Sequence, residues 1–260
     1  MATMMRIKQF LLLPMLMLVA SLQAGAQHFY YRLDLSSSNI YTFALSNLAT
    51  AGLNRAANRM LFDNYYSYTV HDLSSPTSDV TVKYYSPIGI TARDVLNDVG
   101  GGLRLGYNSF NPGSVNWAVF GTAHYKLNQF KTQLTGVDEP VWRHRMQHVS
   151  FGGGVLLSFG SIESPSRVIF EAGVRYNIPI NYVGPFGVKA SDVLNSGVST
   201  HYAIKFGGFS KLQGLGVWAD IPHYNVLKNG GDYLPGGKLK SYSFGIVYTI
   251  TPTRVKDAYR

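Results

Sequence analysis

RVIFEAGVRYNIPI, residues Arg167 to Ile180, decides the fold class. Val168, Phe170, Ala172, Val174, Tyr176 and Ile178 share one parity, while Arg167, Glu171, Gly173, Arg175 and Asn177 share the other. Side chains alternate between the two faces of a strand, whereas a helix brings them round every ~3.6 residues. The stretch therefore reads as one long strand with an apolar and a polar face. The same alternation runs outward in both directions. Towards the N-terminus it covers Leu103–Phe110, Val115–Gln129 and Val141–Phe159, and towards the C-terminus Val198–Phe209, Leu215–Ile221 and Ser241–Ile250.

Two features point from strands to a barrel in a membrane. The polar faces carry full charges at mid-strand: Arg104, Lys126, Arg167, Glu171, Arg175, Lys205 and Asp220. A membrane barrel turns such residues into its lumen and gives the apolar face to lipid. The links also alternate in length. Asn111–Ser114, Gly160–Ser166 and Ser210–Gly214 are short, whereas Phe130–Pro140, Asn181–Gly197 and Pro222–Lys240 are longer. Short turns on the periplasmic side and long loops outside the cell are the outer-membrane pattern.

The expected fold is all-β: a closed antiparallel up-and-down transmembrane β-barrel over residues 27–250, with 251–260 as a C-terminal tail. Asp79–Ser86 raises the count to eight strands. Phe29–Leu35 and Tyr65–Leu73 raise it to ten, which keeps the alternation of links with Ser36–Asn64 as a long outer loop. Ten is favoured and eight is the alternative. Residues 27–98 carry the weakest pattern, and within them Phe43–Phe62, rich in Ala, Leu and Asn, reads as a helical loop or a periplasmic segment.

The N-terminus supports export. Arg6 and Lys8 precede an apolar run from Phe10 to Ala20, and Ala24-Gly25-Ala26 supplies the small residues of a cleavage site. Residues 1–26 are expected to be a signal peptide. The 260 residues carry a net charge of +9 and no cysteine, which excludes disulfides and thiolate metal sites. Mean hydropathy is zero, yet 27 Gly, 18 Tyr and 14 Phe are present. Apolar residues spread over alternate strand positions account for both.

The signal, the Gly- and Tyr-rich alternating strands and the final Tyr242-x-Phe244-x-Ile246-x-Tyr248 resemble small Gram-negative outer-membrane barrels of the OmpA/OmpX-like and porin-type class. The resemblance covers Leu103–Ile250. It implies fold and location, the cell outer membrane, rather than an activity.

For function, the leading expectation is a non-enzymatic barrel with a structural or surface-binding role. Its partners would be outer-membrane lipid, lipopolysaccharide and a surface or envelope protein, with no nucleic acid and no cofactor. Two alternatives stand beside it. Five positive lumen residues against two negative ones suggest a narrow anion-preferring channel. A salt-bridge network filling the lumen, with Phe120 adding bulk, is the competing reading of the same charges. His148 and Ser150 lie two apart on one strand face, so imidazole could activate hydroxyl, with Glu163 as an orienting acid. That pair loosely resembles the His-x-Ser element of outer-membrane lipid A deacylases, although Phe151 replaces the expected Asn. Arg143 and Arg145 have outward parity, which suits either lipopolysaccharide phosphates or plain solvation. His124, His144, His148 and His201 have no metal-ligand spacing, so no metal is expected.

Overall fold

Ten strands and two helices make up the computed structural model, which describes residues 29–56, 60–74, 80–83, 98–108, 115–134, 141–160, 167–184, 189–207, 214–228 and 238–250. The signal-peptide expectation at 1–26, Glu163 and the tail at 251–260 lie outside the described residues. The strands are β1 (Phe29–Ser37), β2 (Met60–Ser74), β3 (Val80–Lys83), β4 (Asp98–Asn108), β5 (Val115–Leu134), β6 (Val141–Phe159), β7 (Val168–Val183), β8 (Gly197–Phe206), β9 (Gly214–Pro222) and β10 (Lys238–Ile250). Helix α1 (Ile40–Ala56) joins β1 to β2, and a single turn, α2 (Ala190–Val193), sits in the β7–β8 link.

Hydrogen bonding runs β4-β1-β2-β10-β9-β8-β7-β6, and the β5 pairings with β4 and β6 close the ring. The barrel is closed, all-β and nine-stranded. It is not purely antiparallel, because β1 and β2 are parallel neighbours, with Asp34 opposite Asp63. An odd ring whose other pairs are antiparallel must contain one parallel pair. This corrects the expectation of ten antiparallel staves. A tenth strand exists, but β3 pairs only with Lys131–Leu134 at the far end of β5, beyond the Asp98–Asn128 pair where β4 begins. It prolongs the slot of β4 instead of adding a stave, since β5 at 20 residues outruns β4 at 11.

The second correction concerns Ser36–Asn64, expected as an outer loop. Parallel neighbours require a crossover that travels the full length of the pair. Here α1 provides it. Asn39 begins the helix as a cap, its Oδ1 accepting the N–H of Tyr41 at 2.9 Å. The helix then runs down the outside of the wall. Phe43 meets Tyr66 edge-on at 5.8 Å, and Asn64 Nδ2 donates to Thr50 Oγ1 at 3.2 Å. Asn64 and Tyr66 have the outward parity of β2, opposite to Asp63 and Tyr65.

The links β4–β5, β6–β7 and β8–β9 fall at one end of the barrel, here the turn end. Those of β5–β6, β7–β8 and β9–β10 fall at the other, the loop end. Gly160 and Gly207 open two of the short links with φ of +102° and +122°. A side chain is strained there, and glycine is not. Gly207 N–H also closes on Arg167 O at 2.9 Å.

Inside and outside are reversed relative to a water-soluble barrel. Val174, Leu215 and Val217 point outward and are 52%, 54% and 57% exposed, whereas Arg104 inside is 0% exposed. Trp117, Tyr125, Phe151, Phe170, Tyr202 and Phe244 extend the exposed apolar surface round the ring.

Candidate functional site: a charge-packed lumen

Inward parity brings together side chains from every stave. Asp63 on β2 is gripped by Arg32 of β1 and Lys205 of β8, each at 2.6 Å. Arg104 on β4 reaches Glu171 on β7 at 2.6 Å and Asp34 on β1 at 3.4 Å. His201 bridges two carboxylates, with Nδ1 2.7 Å from Asp220 and Nε2 3.3 Å from Glu171. Arg175 completes the set on Asp220 at 3.1 Å. Lys126 stands towards the loop end and donates to Ser243 and Thr69, while Arg167 at the turn end donates to Ser158. Moving these charges out of water is costly, so each must find opposite charge and hydrogen bonds to be tolerated.

The structure places Arg104, Lys126, Arg167, Glu171, Arg175, Lys205 and Asp220 on the inward parity of their strands, buried or half-buried. The sequence reading missed Arg32, Asp34, Asp63 and Asp98, which lie in the first third where the alternation is weakest. Parity within Phe29–Leu35 was the available signal for Arg32 and Asp34. With them included, six cations (Arg32, Arg104, Lys126, Arg167, Arg175, Lys205) face five carboxylates (Asp34, Asp63, Asp98, Glu171, Asp220) among the described residues. The lumen is close to neutral, not the five-to-two excess of positive charge read from sequence.

Bulk fills the rest of that layer. Phe120 lies under Arg104, whose guanidinium carbon is 4.1 Å from the ring centroid, a cation–π contact. Gly154 makes the room: a Cβ there would run into the tip of the Phe120 ring and the backbone of β7. Trp218 packs edge-on against Tyr65 at 5.4 Å, and its indole N–H is shared between Tyr66 O and Ile246 O, each at 3.2 Å.

Towards the loop end a cavity of about 100 Å³ remains, lined among others by His124, Lys126, His148, Ser150, Asn177 and Ser199. An apolar cap lies above it: Phe130, Met146, Tyr182, Leu194, Leu227 and Leu239 form one buried cluster. His144 stacks on Phe130 at 4.5 Å and pairs through Nδ1 with the Tyr182 hydroxyl at 2.8 Å. Tyr224 packs against this cap. Burial, with a smaller contribution from Tyr176, pushes its hydroxyl up to about 12.

His148 and Ser150 both face the lumen, buried to 8% and 7% exposure. No hydrogen bond joins them among the described residues, and His148 Nε2 has no hydrogen-bond partner there. Arg143 and Arg145 point outward near the loop end of β6 and are exposed. His124, His144, His148 and His201 are spread through the lumen, and the described residues contain no group of three metal-ligating side chains placed to hold an ion.

The fold and lumen define this chain as a closed nine-stranded mixed β-barrel. Compared with known protein families and with curated proteins, it matches none.

Proposed function

We propose that the protein is an outer-membrane β-barrel, exported by the secretory route, with a structural or surface-binding role and no catalytic one. The observation that carries this reading is the reversal of polarity: exposed Val, Leu, Phe and Tyr outside, paired charges inside. Contiguous exposed apolar surface of this extent is rare on soluble monomers. A hydrocarbon layer removes its cost, since each buried methylene is worth about 0.8 kcal/mol.

The sealed lumen weighs against a pore. Arg104, Glu171, Asp63 and Lys205 cross it in ion pairs, and among the described residues the apolar cap lies over the loop end. For catalysis, the unjoined His148 and Ser150 offer no activated nucleophile. Arg143 and Arg145, exposed near the loop end of β6, would meet lipopolysaccharide phosphates in this reading, and the longer links would offer the surface for an envelope partner.

A heat-modifiability gel on the membrane fraction tests the fold and the location together. The protein should pellet with outer membranes and migrate faster before boiling than after it. Recovery in the soluble fraction, with one mobility under both conditions, overturns the reading.

A further inference from the structure

Helix α1 is built the wrong way round for a helix in water. Its positions facing the wall are Thr42, Phe43, Ser46, Asn47 and Thr50, mostly polar. Its outward positions are Ile40, Tyr41, Leu45, Leu48 and Leu53, exposed between 51% and 71%, with Ala44, Ala49, Ala51 and Gly52 between them. No charge occurs from Ile40 to Leu53. A surface helix of a soluble protein buries its apolar stripe and shows its polar one. This helix inverts that rule, as the strands beneath it do.

The donors of Ser46, Asn47 and Thr50 on its polar side are occupied. Ser46 Oγ and Asn47 Nδ2 donate to Phe43 O at 2.8 and 2.9 Å, and Thr50 Oγ1 donates to Ser46 O at 2.8 Å. Asn64 of the wall then donates to Thr50. Donors spent in this way do not call for water. The topology also settles the direction. β1 delivers the chain to the loop end and β2 leaves from the turn end, so α1 descends the outer wall between them. Its uncharged stretch from Ile40 to Leu53 spans about 20 Å at ~1.5 Å per residue, which fits within the ~25 Å apolar band of an outer-membrane barrel. Among the described residues no helix is long and apolar enough to cross a membrane alone; α1 has the barrel to cover its polar side.

We propose that α1 lies in the hydrocarbon layer, upright against the outer wall over the parallel β1–β2 seam, with Ile40, Tyr41, Leu45, Leu48 and Leu53 in contact with lipid acyl chains. The inference rests on the barrel being in a membrane, and it adds a helical element to the lipid-facing surface. The occupant is lipid because the exposed helix face continues the apolar belt of the wall without a charged break.

The chain has no native cysteine, so single cysteines at Ile40, Leu45, Leu48, Leu53, Thr50 and Val174 can carry a nitroxide in the full-length protein. The protein would be refolded into phosphatidylethanolamine/phosphatidylglycerol vesicles, with folding checked for each variant by its mobility before boiling. Collision with oxygen reports lipid and collision with a nickel chelate reports water. Leu45 and Leu48 should match Val174, dominated by oxygen, with depth falling off towards both Ile40 and Leu53, and Thr50 should be shielded from both reagents. Nickel-dominated Leu45 and Leu48 beside an oxygen-dominated Val174 would overturn the inference and leave the membrane barrel standing. Nickel dominance at Val174 as well would overturn both. Equal, shallow depth from Ile40 to Leu53 would mean a helix lying flat at the interface, and shielding of Leu48 from both reagents would mean a second copy covers it. Either result rejects lipid contact through the layer.

Discussion

Arg104 and Glu171 stand three staves apart around the ring and meet in the lumen at 2.6 Å, with both side chains fully shielded from solvent. Their pairing ties β4 to β7 at a distance no backbone ladder covers. Asp34, Asp63, His201 and Lys205 surround the pair, so each charge is shared between partners. The lumen is therefore a load of mutually dependent ions rather than a set of independent bridges.

Breaking that pair from one side should be costly. Glu171→Gln or Arg104→Met leaves an uncompensated buried charge, a loss of about 3–5 kcal/mol. Urea unfolding of the barrel in detergent, followed by gel mobility, measures it. The double variant should lose less than the two single losses added together, because partners in one network couple. Strict additivity would show that the two groups do not interact.

Facing can be tested on one strand. Val174→Arg places a cation on the wall and should cost about 2–4 kcal/mol if that wall meets lipid near its midplane. Asn177→Asp changes an inward residue that donates to Gly197 O at 3.3 Å and to Ser199 at 2.9 Å; the hydroxyl can turn to donate to a carboxylate but the carbonyl cannot, so the change should cost about 1 kcal/mol for the one lost hydrogen bond. Equal tolerance at both positions would mean that Val174 does not face lipid.

Close packing around Phe120 makes Gly154 sensitive to a single methyl. Gly154→Ala should destabilise the barrel by about 1–3 kcal/mol through overpacking, and Gly154→Ala combined with Phe120→Leu should recover part of the loss. A silent Gly154→Ala, read by the same unfolding assay, would show that both the ring and the β7 backbone have room to move.

Conduction separates a sealed lumen from a pore. Planar bilayers holding the purified protein should show no steps under applied voltage. Regular, anion-selective steps would mean that the loop-end cap and the charge layer open, and would revive the channel reading.

Link length predicts an orientation for a barrel in the outer membrane. Ser164 belongs to the β6–β7 link and Asn229 to the β9–β10 link, and those two strand pairs are joined at opposite ends of the barrel. With cysteine at each position, a membrane-impermeant maleimide on intact cells should label position 229 and spare position 164. Labelling of 164 alone inverts the orientation, and labelling of both argues against a barrel crossing the membrane.

Much of this architecture was legible in the amino-acid sequence because alternation is a local property. RVIFEAGVRYNIPI assigns its own faces: Val174 out and Arg175 in, whatever lies beside it. The spans of β5, β6 and β7 fell within a few residues of the alternating runs, and the helical reading of Phe43–Phe62 anticipated most of α1. The partners of each strand were another matter. Period two looks the same in a parallel and an antiparallel neighbour, so nothing in Phe29–Leu35 or Tyr65–Leu73 announced that β1 and β2 run side by side. Nor could alternation show that β3 shares a slot with β4, since that follows from how far β5 outruns its neighbour. The lumen behaves in the same way. Parity alone put Arg104 and Glu171 inside, but their meeting, and the addition of Asp34 and Asp63 that brings the lumen near neutrality, depends on which staves face one another across the ring. Sequence determined the strands and their two faces; ring closure, a long-range choice of neighbours, decided the parallel seam, the helix outside it and the ion pairs within.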